Sequence, residues 1–459
     1  MAKQERLISP AVHTAAGEFD SLAAYLLDQS RLCTRPPIDR FEYPWIAPMP
    51  TGPTAAAYLE SRKTKPSGRL NDVTKALARP DSGDGFAAGD YSLGLFHHDV
   101  SEASIELLQH PELREPTIGS FLCFLDCAEP SGCIHRIELP HKCRDREPAK
   151  PLVAQFALRI VNALGPEGVQ WAKEHQIFPA VVRFVHFLEE HYTGGHGLFL
   201  THSSRQSGFD SDILTAGWGE KSIESPDANA LMVLEYEALG ALCQKLGEGD
   251  ALRWSDKAQV LRERIERLMW WEDGEGGYYV GLRWQHGVGG LEGEIVGALG
   301  ADGSLHPYQS WAGLLPLYAG IPSAARAERI ISGLLNPASY WGPWGVRTAP
   351  ADQPYFHQAP RVMVFDPRKG HAGPVSNWSG PVWILSNYYL AKGLARYGHL
   401  GEARELALKS ARLLAQGLKQ QGGLRECYDD LGRGLWPPQG TFLSWNVLAL
   451  AMLRELSPA

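Results

Sequence analysis

The sequence predicts an all-α chain closed into a single toroid of helical hairpins, six inner and six outer helices in the (α/α)6 arrangement, with minor β-hairpins. Three observations predict it. About a dozen stretches carry apolar residues at helical spacing and few alternate as strands do. Short and long connections alternate between them, so the long loops are expected to gather at one end and line a central funnel. No break in composition separates two cores, and no strict repeat marks a regular solenoid, so 1–459 reads as one domain. An irregular helical solenoid is the runner-up.

The helical pattern opens at 18–30, where Phe19, Leu22, Ala23 and Leu26 share a face. The stretch 31–94 is a Pro- and Gly-rich insertion with a short helix at 55–62 and ordered loop at Tyr43-Pro44-Trp45 and 81–91. A connection this long is usually functional, and part of it is expected to cover the mouth of a site. Helices are expected at 101–110, 116–128, 152–164, 166–176 and 177–192, with a loop over 129–150. In 177–192, Val181, Phe184, Val185 and Leu188 form one stripe. Further helices are expected at 226–246, 256–271, 308–317, 323–335, 381–397, 401–420 and 441–456. A hairpin at 276–284 follows the turn Glu272-Asp273-Gly274, and 336–374 is a second long loop.

Composition narrows the function. Hydrophobic content of 44% and charged content of 21% are those of a globular chain. A net charge of -8 disfavours tracking of nucleic-acid phosphates, and no basic run suggests a membrane anchor. No apolar signal segment or membrane span is expected. Seven scattered cysteines fit reduced thiols in a cytoplasm. The 14 tryptophans are many, and aromatic faces suit sugar rings.

The chemistry is expected in three places. Gln206-Ser207-Gly208-Phe209-Asp210-Ser211-Asp212 sets two acids two residues apart behind a turn signal. On an extended loop their side chains point opposite ways, so one faces a pocket while the other props the loop. Asn377-Trp378-Ser379-Gly380-Pro381-Val382-Trp383 opens a helix, with Pro381 in its first turn. Leu424-Arg425-Glu426-Cys427-Tyr428-Asp429 lies between the last two helices, ahead of Ser444-Trp445. Two carboxyls from distant loops among Trp and Tyr are what glycoside hydrolysis needs: one protonated to donate to the leaving oxygen, one ionised to activate water. That reaction requires no cofactor and no metal. Cys133, His135, His141 and Cys143 read C-x-H-x5-H-x-C, which matches no common zinc spacing.

These three motifs resemble those of the (α/α)6 glycosidases of glycoside hydrolase family 63 and the related trehalases. Ser207-Gly208-Phe209-Asp210 is similar to their S-G-x-D motif, the Asn377–Trp383 run to N-W-x-G-P-x-W, and Glu426 with Tyr428 to E-x-Y. The resemblance covers about 99–456 and implies Asp210 as general acid and Glu426 as general base of an inverting mechanism. It implies Asp99, Asn377, Trp378, Gly380 and Trp383 at the −1 sugar, with Asp212 a neighbour or second contact. Tyr43, Trp45, Trp341, Arg347, Tyr428 and Trp445 complete the expected substrate-binding set. Where the family has a Trp-Asp pair, this chain has His98-Asp99. Lacking an obvious all-β domain, the chain looks like the compact subgroup that hydrolyses mannosylglycerate and glucosylglycerate.

A small α-glucoside or α-mannoside is therefore the expected partner, and a homo-oligomer is compatible with the sequence. A carboxylate-bearing aglycone would want a basic clamp, for which Arg136, Lys142, Arg144, Arg146, Arg205 and Arg347 are candidates. Two alternatives stand beside hydrolysis. A sugar epimerase would use paired histidines, with His97, His98, His202, His306 and His371 available. A non-catalytic sugar-binding protein is the other.

Overall fold

The computed structural model describes residues 16–64, 88–216, 218–274, 276–284, 294–299, 303–357, 377–437 and 439–456. Residues 65–87 of the insertion, with part of the expected 81–91 loop, and 358–376 of the second long loop, with His371, lie outside them. Six helices form a closed ring of neighbours. His97–Leu107 packs on Val153–Leu164, which packs on Pro226–Leu246. That helix meets Pro316–Ala319, which meets Ile384–Arg396; Leu448–Leu456 then closes the ring onto His97–Leu107. Other helices back the ring, among them Pro111–Asp126, Ala251–Leu268 and Leu400–Gln421.

The sequence ends these helices where local chemistry changes. Proline enters at the first turn of Pro111–Asp126, Pro166–Glu174 and Pro226–Leu246, where a missing N–H costs nothing. Asp250 caps Ala251–Leu268 by accepting from the Leu252 and Arg253 N–H groups. Gly247 and Gly422 stop two long helices in the left-handed conformation. The Val153–Leu164 helix is capped across the ring: buried Glu235 accepts from the Ala154 N–H at 2.6 Å and the Gln155 N–H at 3.3 Å.

Strand is more extensive than the helical periodicity suggests. The described residues hold six small sheets, the largest of four strands. The expected 129–150 loop contains an antiparallel hairpin, His135–Leu139 with Lys142–Pro148, and Leu95–Phe96 adds a third strand. Charged and apolar residues are mixed along the hairpin, and His135 and Glu138 are themselves buried, so no apolar alternation shows in the sequence. The described part of the insertion is likewise built rather than loose. Thr34–Arg35 pairs with Trp45–Ile46, and buried Arg35 donates to the Ser92, Met49 and Leu32 carbonyls. Several helices differ at their starts. One begins at His97 instead of 101, and another at Ile384 instead of 381. The 308–317 and 441–456 helices begin as 3-10 turns, Trp311–Leu314 and Ser444–Val447. No described helix is long and apolar enough to cross a membrane.

Candidate active site

The Asp210 segment is a tight turn rather than the extended loop expected. Gly208 and Ser211 both have positive φ, +68° each. At Gly208 a Cβ would stand 2.6 Å from His98 Nδ1, so the turn can seat against His98 only with glycine there. Ser207 Oγ accepts from the Phe209 N–H at 3.1 Å and donates to the Ser204 carbonyl at 2.6 Å. The turn still sends its two acids to different places. Asp210 lines a pocket; Asp212 is buried away from it, with Oδ1 accepting from the Leu214 N–H at 2.8 Å.

Main-chain bonds lace the three motifs together. Trp378 N–H donates to the Asp210 carbonyl at 2.8 Å, and Ser379 Oγ to the Ser211 carbonyl at 2.6 Å. Val382 and Tyr428 exchange N–H···O bonds of 2.7 and 3.0 Å, and Glu426 N–H donates to the Trp436 carbonyl. Asn446 Nδ2 braces the Glu426 segment through the Arg425 and Phe442 carbonyls. Beneath lies an aromatic stack. Trp378 lies on Trp383 with centroids 4.0 Å apart and on Trp311 at 4.9 Å, and Phe209 wedges edge-on against Trp311 at 4.3 Å. Each such pair contributes about 1 kcal/mol beyond its burial.

Asp99, Asp210, Glu426 and Trp445 line one narrow pocket, of about 60 Å³. With them are His98, Lys150, Arg136, Arg205, Gln206, Gly208, Tyr91, Phe96 and Ile137. Asp99 sits in the first turn of its helix and accepts from Ser444 Oγ at 2.7 Å; burial pushes its carboxyl up to about 7. Burial, aided by the charges of Lys150, His97 and Arg136, holds His98 well below the usual imidazole range, so it is neutral. Lys150 is a residue the sequence reasoning missed. Its ammonium lies 3.2 Å above the Phe209 ring and 3.8 Å from Asp227 Oδ2, with no hydrogen-bond partner among the described residues. Burial brings it down to about 7, against the pull of Asp227, Glu102 and Asp212. The only signal for it in the sequence is a lone lysine before an apolar helix.

Other expected contacts are not brought to this pocket. Trp378, Trp383 and Tyr428 are at most 1% exposed and form its foundation, and the Tyr428 hydroxyl is taken by the Arg425 N–H. Asn377 accepts from the Ser379 N–H, and Gly380 serves a backbone turn at φ +133°. Trp45 is buried against Phe41, and Tyr43 faces His175. Trp341 packs under Lys409. Arg347 is paired with Asp430, at 3.0 Å to both oxygens, and with the Pro337 and Ser339 carbonyls. Arg136 and Arg205 do line the pocket, bridged by Glu147 at 3.2 and 3.8 Å. The side chains of Cys143, Arg144 and Arg146 lie outside the described ones. Of the C-x-H-x5-H-x-C residues, the hairpin register sets Cys143 opposite Glu138 and His135 opposite Pro148.

Residues 144–436 match the family described as the mannosylglycerate hydrolase MGH1-like glycoside hydrolase domain. The chain belongs to the MGH1-like glycoside hydrolases. A mannosylglycerate hydrolase of Thermus thermophilus is 35% identical to it over 144 residues, which is 31% of this chain and 28% of that relative. The match thus spans just over a quarter of the relative's length. The fold is shared with a family 63 mannosylglycerate hydrolase, also of Thermus thermophilus and solved in complex with glucose, at a TM-score of 0.58 and 20% identity. That likeness covers 78% of this MGH1-like chain and 92% of the other. Neutral trehalase Nth1 of Saccharomyces cerevisiae matches at 0.60 and 13% identity, over 96% and 94% of the two chains.

Proposed function

We propose that this MGH1-like glycoside hydrolase cleaves a small α-glucoside or α-mannoside by inversion, with Asp210 as general acid and Glu426 as general base. The observation that carries the proposal is that two carboxyls distant in sequence line one pocket, on segments that are each bonded to the Asn377–Trp383 run. In the reaction Asp210 gives its proton to the glycosidic oxygen as the C1–O bond breaks. Glu426 takes a proton from a water that attacks C1 from the opposite face. Buried Asp99 and the Lys150 ammonium would hold sugar hydroxyls. The Arg136–Glu147–Arg205 group at the rim offers cations to an aglycone carboxylate, which favours a glycerate-type glycoside. The ring of six helices supports the (α/α)6 reading, and Tyr91 in the pocket wall supports a covering role for 31–94. A cytoplasmic setting is part of the same proposal.

The epimerase reading fares worse. Of the described histidines only His98 lines the pocket; His97 is buried against Phe124 and His202 bonds Tyr192. The test is hydrolysis of mannosylglycerate, glucosylglycerate, glucosylglycerol, trehalose and kojibiose, followed by proton NMR. Free hexose appearing first as the β-anomer supports inversion. The α-anomer first, or an epimerised sugar with no release, sinks it.

A further inference from the structure

The turn between the Pro111–Asp126 helix and the His135–Leu139 strand gathers three side chains of metal-ligating type. Glu129, Cys133 and His135 offer a carboxylate oxygen, a sulfur and a ring nitrogen, all within 4.8 Å of one another. The main chain fixes this shape. The Glu129 N–H donates to the Cys133 carbonyl, and the Gly132 N–H to the Glu129 carbonyl, both at 2.8 Å. Gly132, at φ +93°, lies so close to the Ile177–Tyr192 helix that a Cβ would meet the Arg183 carbonyl at 2.7 Å.

His135 points to an ion. Its Nδ1 lies 2.8 Å from Glu138 Oε1 and its Nε2 3.1 Å from Glu129 Oε1. A neutral imidazole carries one N–H and can donate to one carboxylate only. Glu138 is buried and paired with Arg40 behind the ring. Nε2 is the ring atom that faces the Glu129 oxygen and the Cys133 sulfur. Thiolate, imidazole and carboxylate together are the donor set of a borderline divalent metal. The buried Glu138 behind the imidazole is the outer carboxylate that metal-binding histidines use to fix their tautomer.

We propose that Glu129, Cys133 and His135 bind a divalent cation of the zinc class, with the exposed Glu129 side leaving a fourth position to water. Binding releases the thiol proton to solvent. The site is structural: it pins the start of the strand that carries Arg136 and Ile137 into the pocket. It touches neither Asp210 nor Glu426, so it stands or falls apart from the hydrolase proposal.

The test uses the full chain without a histidine tag, stripped with chelator and titrated with cobalt(II) chloride. One equivalent should produce a thiolate-to-cobalt charge-transfer band in the near ultraviolet, and zinc chloride should abolish it. The band should be absent in C133S. The variant E129Q, at an exposed side chain, should keep the band but need roughly tenfold or more cobalt to reach it. No band from the folded chain at saturating cobalt, or the same band in C133S, overturns the proposal and leaves an imidazolium between two carboxylates.

Discussion

Replacing Lys150 by methionine should make the protein more stable and less active. The ammonium is buried, with its carboxylate neighbour Asp227 at 3.8 Å and its acidity brought from 10.5 to about 7. That displacement corresponds to roughly 5 kcal/mol against the charged form, even after Asp227's attraction of about 4 kcal/mol at an effective dielectric near 20. The sign follows from protons bound. Below pH 7 the lysine is charged both folded and unfolded, so the folded state bears the whole cost. Between about 7 and 10.5 the unfolded chain holds more protons, and the cost fades as pH rises. Lys150→Met should therefore stabilise by about 2 to 5 kcal/mol at pH 6, allowing for imperfect packing, and by much less above pH 10. Urea unfolding of both proteins at the two pH values measures this. In the same preparation kcat/KM should fall roughly 10- to 100-fold, the worth of a charge-assisted hydrogen bond to substrate. A variant less stable than the parent at pH 6 would show that the lysine is a net structural ion pair. Unchanged kcat/KM would remove it from the substrate site.

Four further substitutions follow from the same geometry. Asp210→Asn and Glu426→Gln should each lower kcat by about 100-fold or more with unfolding midpoints unchanged; near-normal rates in either would reassign that residue. Asp212, pushed up to about 7 by burial, binds a proton in the folded state that the unfolded chain has lost between pH 4 and 7, so its contribution to stability falls as pH rises. Asp212→Asn should then raise the melting temperature at pH 8 and leave it nearly unchanged at pH 4. Gly380→Ala places a methyl 2.7 Å from Phe356 Cε2 at φ +133°, and should cost about 2 kcal/mol or more of stability and reduce kcat through the Trp378–Asp210 bond, seen by calorimetry and initial rates.

The helices were legible because 3.6-residue periodicity survives in any helix with one buried face, as in Ile177–Tyr192, whose expected and observed bounds coincide. The hairpin His135–Leu139 was not, since its strands are short and mix charged with apolar residues. At the site, Asp99, Asp210, Glu426 and Trp445 could be read from motifs and do meet. The tryptophans divide: Trp445 lines the pocket, and others pack beneath it. Their number suggested sugar platforms, but a large ring at a turn serves as well for foundation, and Trp378 and Trp383 stack on each other under the turns. Lys150 was hidden for the opposite reason. A single cation has no pattern, and its meaning comes only from what surrounds it.

The bonds among the Asp210 turn, the Asn377 segment and the Glu426 segment include main-chain pairs, Trp378 to Asp210 and Val382 with Tyr428, together with the Ser379 hydroxyl and the Asn446 amide. The spacing of the two acids is thus set in part by parts of the molecule that ordinary substitution leaves alone. Tyr91, Arg136 and Arg205 come from outside that lattice, on the insertion, the hairpin and the loop ahead of the turn. A lineage could therefore exchange rim residues, and so trade one leaving group for another, while the two carboxyls stay at their working distance. Reaction and preference would drift at different rates in such a chain, and laboratory selection for a new aglycone has its natural targets at the rim.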